Sequence, residues 1–522
     1  MFQNAMPNTT SGQHESIWTR TEPSVVFDRL QRDLKVDVAI VGGGIAGLTT
    51  AYCLAREGKR VVVLEDGYLG SGESGRTTAH LASALDDRYY YIEHLFGEEK
   101  TRLAAQSHQE AIEWIGETVA QEHISCDYRK VDGYLFLHPS DKPENLEKEL
   151  VAAEKAGLDV DLVAPPGIID AGSAIRFRNQ AQFHILKYLN GLAQAILAKG
   201  GQIYTQTHVE EVLEDGITAN GHTVEATSIV VATNSPINDR FSLHTKQHPY
   251  RTYVITHLLP KGTLPFALWW DTGNMRSAWS SEPYHYVRVE AYDETHDLLI
   301  VGGEDHKTGQ AGVEGISENE RYDRLETWAR HHFPMIGHRV SNWSGQVLEP
   351  VDCLGFMGCN PGDDNIYVIS GDSGNGMTHT TIGALIITDL IMGRENTYAE
   401  LYSPSRITLS ATGTFLEEAG NMALQYADWI RMPDGAPLET LAPGEGSVLS
   451  DGLDKTAVFR DAGGNFHAFS AVCPHLGCIV HWNQDEKTFD CPCHGSRFDG
   501  HGQVLNGPAN ENLTEKRLPL PH

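Results

Sequence analysis

Residues 36–66 read VDVAIVGGGIAGLTTAYCLAREGKRVVVLED. A short β-branched run ends in glycines. Apolar residues then recur at helical spacing, at Ile45, Leu48, Ala51 and Leu54, before a second apolar run that closes at Glu65. Strand, tight turn, helix and strand in this order predict a βαβ unit of a parallel sheet. Gly42, Gly44 and Gly47 stand in Gly-x-Gly-x-x-Gly register. The first permits the turn, the second lets backbone approach a pyrophosphate, and the third lets the helix pack on the strand. Ile45 and Ala46 open that helix, whose N-terminus favours negative charge. Glu65 ends the second strand, where a carboxylate accepts hydrogen bonds from a ribose diol. Together these features predict dinucleotide binding.

The glycine motif alone does not separate FAD from NAD. Two later features favour FAD. VVATNS (residues 230–235) is an apolar strand ending in a small polar turn, and ISGDSGNGMTHTTIGALI (369–386) sets a second glycine turn before an apolar helix. Such a turn aims amides at a flavin ring that gains negative charge on reduction.

The whole chain has 522 residues, enough for more than one core. Its formal charge is −30, from 70 acids against 40 Lys plus Arg, which disfavours nucleic acid and anionic lipid as partners. No run approaches about 18 apolar residues, so no integral membrane segment is expected, and no targeting segment is visible. A cytoplasmic protein is the expectation. The predicted order is a polar arm over 1–34, an oxidoreductase unit over 35–403, a linker with one helix over 404–436, and a small all-β unit over 437–522. Within the second, aromatic-rich alternating strands between about 250 and 304 predict an antiparallel sheet. The fold class is therefore α/β with an antiparallel substrate sheet, plus a small all-β domain.

The tail carries the second motif. CPHLGC starts at Cys473 and CPCHGSRF at Cys491, giving Cys473-x-His475, fifteen intervening residues, then Cys491-x-x-His494. Two ligand pairs on two knuckles suit a metal. Zinc is one occupant of such a set. The close spacing of the first pair, and the further Cys478 and Cys493 after each pair, argue against it.

The front of the chain, with its late GDSGNGM turn, resembles the D-amino-acid-oxidase-type family of FAD oxidoreductases over roughly 35–400. The resemblance implies non-covalent FAD and hydride removal from the carbon beside an amine nitrogen. It places Gly42, Gly44 and Gly47 at the pyrophosphate, and Arg76, Thr77 and Thr78 under the ring system. Val209 would hold adenine through its backbone, and Gly374, Asn375, Gly376 and Met377 would border the flavin. His80 falls near a position where some relatives attach FAD covalently. For the substrate, alternation puts Tyr284, Tyr286 and Arg288 on one strand face. The tyrosines would wall the flavin, and Arg288 would pair with a substrate carboxylate. Asp305 and His306 are another candidate pair for the substrate side, with a polar loop as the favoured reading.

The tail resembles the Rieske [2Fe–2S] domain. That resemblance assigns Cys473 and Cys491 to one iron, and His475 and His494 to the other. It implies a disulfide between Cys478 and Cys493, a Ser496 hydrogen bond to a bridging sulfide, and a covering loop of Gly507, Pro508 and Ala509. Phe498 stands where respiratory versions often carry Tyr, and the missing hydroxyl lowers the potential. The outer nitrogens of the two histidines are expected at the surface, where a partner docks. Joined in one chain, the two units predict a dehydrogenase that oxidises an amine or amino acid and passes electrons through the cluster to an external one-electron carrier. A reductase or electron carrier running the other way, and an oxidase with a structural Rieske module, are the alternatives.

Overall fold

The computed structural model describes residues 12–23, 25–238, 243–277, 279, 283–311, 314–429 and 435–518. Parts of three expected segments, residues 1–11 of the arm, 430–434 of the linker and 519–522 of the last domain, lie outside the described residues.

The strand Leu34–Val41 sits in the middle of a sheet. It pairs in parallel with Val61–Leu64 on one side and His222–Val231 on the other. Gln202–Tyr204 and Ile366–Ser370 extend the parallel order outward. The helix Ile45–Arg56 is buried from Ile45 through Ala55. It has no solvent face because helices Ile185–Ala198 and Gly376–Ile391 flank it above the sheet.

A second, nine-stranded sheet stands over the first. Its long strands Gln247–Pro260, His296–Lys307 and Arg339–Pro350 pair antiparallel, and Tyr286–Ala291 joins them. Alternation divides its faces. Tyr253, Ile255, Leu299 and Val301 pack under the helix Glu318–His332, together with Tyr322 and Leu325. Thr252 and Tyr286 point the other way, toward the first sheet.

The arm is not merely polar. Ser16 caps a short helix, Ile17–Thr21, whose Ile17 and Trp18 are buried. The Trp18 indole donates to the Thr77 carbonyl at 2.6 Å. In the linker region lies the helix Thr412–Gln425. Beyond it, a three-stranded and a four-stranded antiparallel sheet form the C-terminal unit. Their core gathers Val448, Phe469, Phe489 and Phe498 around Cys473, Cys478, Cys491 and Cys493.

Candidate functional site

A long cavity opens between the two large sheets. It is lined by Gly42, Gly44, Ile45, Ala46 and Glu65, and by Arg76, Thr77 and Thr78. Val209 and the turn Gly374, Asn375, Gly376 and Met377 also line it. Gly47 does not line the cavity but fixes its floor: a Cβ there would lie 1.9 Å from the Gly42 carbonyl oxygen. Gly42 has φ +109, and a Cβ on it would lie 2.4 Å from the Ala232 oxygen. Glu65 accepts hydrogen bonds from the Gly43 amide (2.6 Å), the Gly67 amide (2.9 Å) and Ser71 Oγ (3.2 Å). Its carboxylate braces the glycine loop as well as facing the cavity. A backbone cradle closed to side chains, at the start of a helix, fits a dinucleotide pyrophosphate.

The wall toward the second sheet holds Tyr284, Tyr286, Thr252 and Trp270, with Asp86 and Asp305 between them. Tyr284 donates to Asp86 Oδ2 at 2.5 Å, and the Tyr286 hydroxyl bonds Thr252 Oγ1 at 2.6 Å. Burial pushes the Asp86 carboxyl up to about 7, against the pull of the Tyr284 hydrogen bond. Burial likewise raises Asp305 to about 7. Asp305 is part of the strand His296–Lys307, not of a polar loop. It faces the cavity, whereas His306 stacks on Tyr253 on the other side, with ring centroids 5.7 Å apart.

Arg288 corrects the expectation for it. It shares a face with Tyr286 but lies one side-chain repeat further along, under the segment that carries Thr78. There its guanidinium donates to the carbonyls of Thr78, Ala79 and Phe183, and it pairs with Glu290. It is fully buried and does not reach the cavity. Arg76 lines the cavity yet turns its guanidinium away, to Ser344 O (2.7 Å), His14 O (2.8 Å) and Glu486 (2.9 Å). His80 also lines it, with Nδ1 bonded to Thr78 Oγ1 (2.9 Å) and Nε2 to Val287 O (3.2 Å), so both ring nitrogens are engaged within the protein.

The C-terminal unit closes the same cavity. Val504, Leu505, Asn506, Gly507, Ala509 and Asn510 line it. Asn506 donates to Glu73 at 2.9 Å. Asn510 donates to the carbonyls of Val209 (2.8 Å) and Glu210 (3.0 Å), beside the position expected for adenine. Gln346 reaches across to the Gly495 carbonyl at 3.1 Å.

Within that unit Cys473 and Cys491 lie side by side and buried, their sulfurs within hydrogen-bonding reach. The His475 and His494 rings meet edge to face at 4.8 Å. Both ring nitrogens of His494 are buried and without a hydrogen-bond partner, which leaves one available to a metal. Two thiols on one side and two imidazoles on the other fit a [2Fe–2S] cluster with mixed ligands. Ser496 Oγ accepts the Ala509 amide at 3.0 Å and also reaches the Cys473 sulfur. Cys478 and Cys493 face each other with Cα atoms 6.4 Å apart.

The histidines do not form a free surface. His494 is 3 % exposed, and His244 of the oxidoreductase unit packs on both, 4.8 Å from the His475 ring and 5.8 Å from that of His494. The expectation of exposed outer nitrogens overlooked this docking. Asp86, Thr252, Trp270, Gln346, His244, Asn506 and Asn510 carried no local signal in the sequence.

Comparison with known proteins agrees with this layout. Residues 37–390 match the family described as FAD dependent oxidoreductase, and residues 435–517 match the Rieske [2Fe-2S] domain. The chain is 32% identical over 511 residues to YhfW of Bacillus subtilis, named as a Rieske 2Fe-2S iron-sulfur protein, covering 96% of this chain and 97% of that one. It is 28% identical over 381 residues to gamma-glutamylputrescine oxidoreductase of Escherichia coli, covering 70% and 86%. Glycine oxidase from Geobacillus kaustophilus shares the fold, with a TM-score of 0.58 at 19% identity over 72% of this chain and 99% of that one. Among the described residues, no helix is long and apolar enough to cross a membrane. The chain belongs to the FAD-dependent oxidoreductase family and carries a C-terminal Rieske [2Fe–2S] domain.

Proposed function

We propose that the protein oxidises an amine or amino acid at its C–N bond and delivers the electrons through its Rieske domain to an external one-electron carrier. The observation that supports this reading is the shared cavity: the loop 504–510 of the Rieske domain walls the space that begins at Gly42 and Gly44. When bound, FAD supplies a two-electron acceptor and the [2Fe–2S] cluster a one-electron carrier.

The chain's own residues do the rest. Gly42, Gly44, Ile45 and Ala46 would hold the pyrophosphate, Glu65 the ribose, and the Gly374–Met377 turn the edge of the flavin ring. Thr77 and Thr78 would lie under it. Cys473 and Cys491 would hold one iron, and His475 and His494 the other. Ser496 keeps a hydroxyl hydrogen for the cluster, because its oxygen accepts from Ala509. Gly507, Pro508 and Ala509 cover that side, and a Cys478–Cys493 disulfide would tie the two ligand loops. Tyr284 and Tyr286 wall the substrate end and orient its polar groups. Asn506, Asn510 and Gln346 hold the Rieske domain against the cavity, which excludes water there. The relatedness to gamma-glutamylputrescine oxidoreductase supports the C–N reading.

Anaerobic mixing of the loaded protein with amines and amino acids tests it. The flavin is expected to bleach and the electron-paramagnetic signal of a reduced Rieske centre to appear. Bleaching with a cluster that stays oxidised, and peroxide formed on adding air, would favour the oxidase. A flavin reduced only by a ferredoxin-like donor would favour the reverse flow.

A further inference from the structure

We propose that the substrate is a cationic amine without a carboxylate group, held by Asp86 and Asp305 between the rings of Tyr284, Tyr286 and Trp270. This narrows the C–N reading above and rests on it.

Charge is the first argument. Both carboxyl groups line the cavity. Among the described lining residues Arg76 is the one Lys or Arg, and its guanidinium is taken up by Glu486, Ser344 and His14. Nearby arginines are engaged within the protein, although the Arg88 guanidinium also lies 6.0 Å from the centre of the Tyr284 ring. Arg88 donates to the carbonyls of Leu85 and Asp271, both at 3.2 Å. Arg321 donates to Glu304 O at 3.1 Å and Glu314 at 2.9 Å. Arg288, the residue the sequence offered for a substrate carboxylate, is bound beneath the floor. A substrate carboxylate would enter a space where Glu349 and Asp372 join Asp86 and Asp305 in the lining, and where no Lys or Arg side chain turns its charge into the cavity. A cation meets the reverse situation.

Unmet hydrogen bonding is the second. Asp305 Oδ1 is buried and has no hydrogen-bond partner. On Asp86, Oδ2 accepts from Tyr284. Thr252 also bonds the Asp305 carboxyl, so both acids keep part of their acceptor capacity, which suits the three donors of an ammonium.

The third is the wall itself. The Tyr284 and Tyr286 rings lie 5.5 Å apart, and His80 bridges Tyr286 (5.9 Å) to Trp270 (5.8 Å). Burial holds His80 down to about 3, so it is a neutral ring. Aromatic faces beside carboxylates attract an ammonium through the ring quadrupole as well as the charge.

The test is an anaerobic titration of the loaded protein, read by flavin absorbance. One arm uses putrescine, agmatine and benzylamine, the other glycine, proline and sarcosine. Amines are expected to bleach the flavin at concentrations at least tenfold below those of the amino acids. Asp305→Asn and Asp86→Asn are each expected to raise the half-saturating amine concentration tenfold or more with FAD content unchanged. Amino acids that bleach at equal or lower concentration than amines would overturn the substrate class and leave C–N oxidation standing. If neither arm bleaches, C–N oxidation falls, and the cation site is judged by the flavin's spectral shift with agmatine. A shift lost in Asp305→Asn supports the site; no shift overturns it.

Discussion

Glu486 of the Rieske domain and Arg76 of the FAD domain meet at 2.9 Å with both side chains withdrawn from solvent. Ser344 Oγ donates to the same Glu486 oxygen at 2.6 Å, and Arg251 approaches it at 3.4 Å. Burial alone would raise this carboxyl, but the two guanidinium groups and His14 hold it well below the usual carboxylate range. One carboxylate thus neutralises a buried patch of positive charge on the other domain.

Glu486→Gln keeps the shape and removes the charge. Two buried guanidinium groups are then left without their counter-ion, at a cost of about 3–5 kcal/mol. Thermal unfolding is expected to show a lower midpoint, with FAD released earlier in the scan than in the parent protein. The sign of the pH dependence follows from the depressed carboxyl. Its contribution is full above the ordinary carboxylate range and is lost as pH falls through the folded-state value. An unchanged midpoint would show that the interface does not depend on this charge.

Gly47→Ala tests the cradle. The added Cβ would lie 1.9 Å from the backbone oxygen of Gly42, which no side-chain adjustment relieves. The turn must open, and the purified variant is expected to lack the flavin's visible absorption while keeping the Rieske signal. Full flavin content would contradict the close approach of helix and turn.

His494→Ala separates the two cofactors. The variant loses one of two imidazoles placed edge to face. Iron and acid-labile sulfide are expected to fall to near zero, while FAD remains because none of its expected contacts involve His494. Retained iron with an unchanged signal would remove His494 from the ligand set.

How far the sequence reached depends on whether a feature is local. The glycines, the helix spacing and Glu65 lie within one βαβ unit, and each pair of cluster ligands lies in one short loop, so local spacing marked them as candidates. Arg288 shows the limit. Alternation assigns a face correctly but not a distance along the strand, and one repeat separates the cavity wall at Tyr286 from the carbonyls under Thr78. Asp86, Thr252, Trp270 and Asp305 meet only because two sheets stack. His244, Asn506 and Asn510 gain their roles only when two domains dock, and no single segment encodes that.

Asn510→Ala examines that docking. Its side chain donates to two carbonyls beside Val209, and loss of both leaves them without those donors. The expected cost is about 1–3 kcal/mol. FAD affinity, measured by equilibrium dialysis of the deflavinated protein, is expected to weaken roughly tenfold, which about 1.4 kcal/mol accounts for. A parent-like affinity would mean that loop 504–510 borders the cavity without supporting the cofactor.

Cation binding at Asp86 and Asp305 carries a pH dependence whose sign is fixed. Asp86 faces Tyr284, Asp87, Arg88 and Asp305, and the carboxyl of Glu349 lies near it. Asp305 faces Thr252, Glu304, His285 and Arg321. Both carboxyls stand at about 7 in the ligand-free site, raised first by burial. Below that pH they are neutral, and an ammonium must drive off a proton to find a charge. Agmatine affinity is therefore expected to fall roughly tenfold per unit of pH below 7 for each carboxyl that must ionise, and to level off above 8. In Asp305→Asn the slope is expected to be shallower, since one titrating group is gone. Flavin-absorbance titrations at pH 5.5, 6.5, 7.5 and 8.5 measure both. A pH-independent affinity, or one that strengthens toward acid, would show that the two acids do not hold the cation.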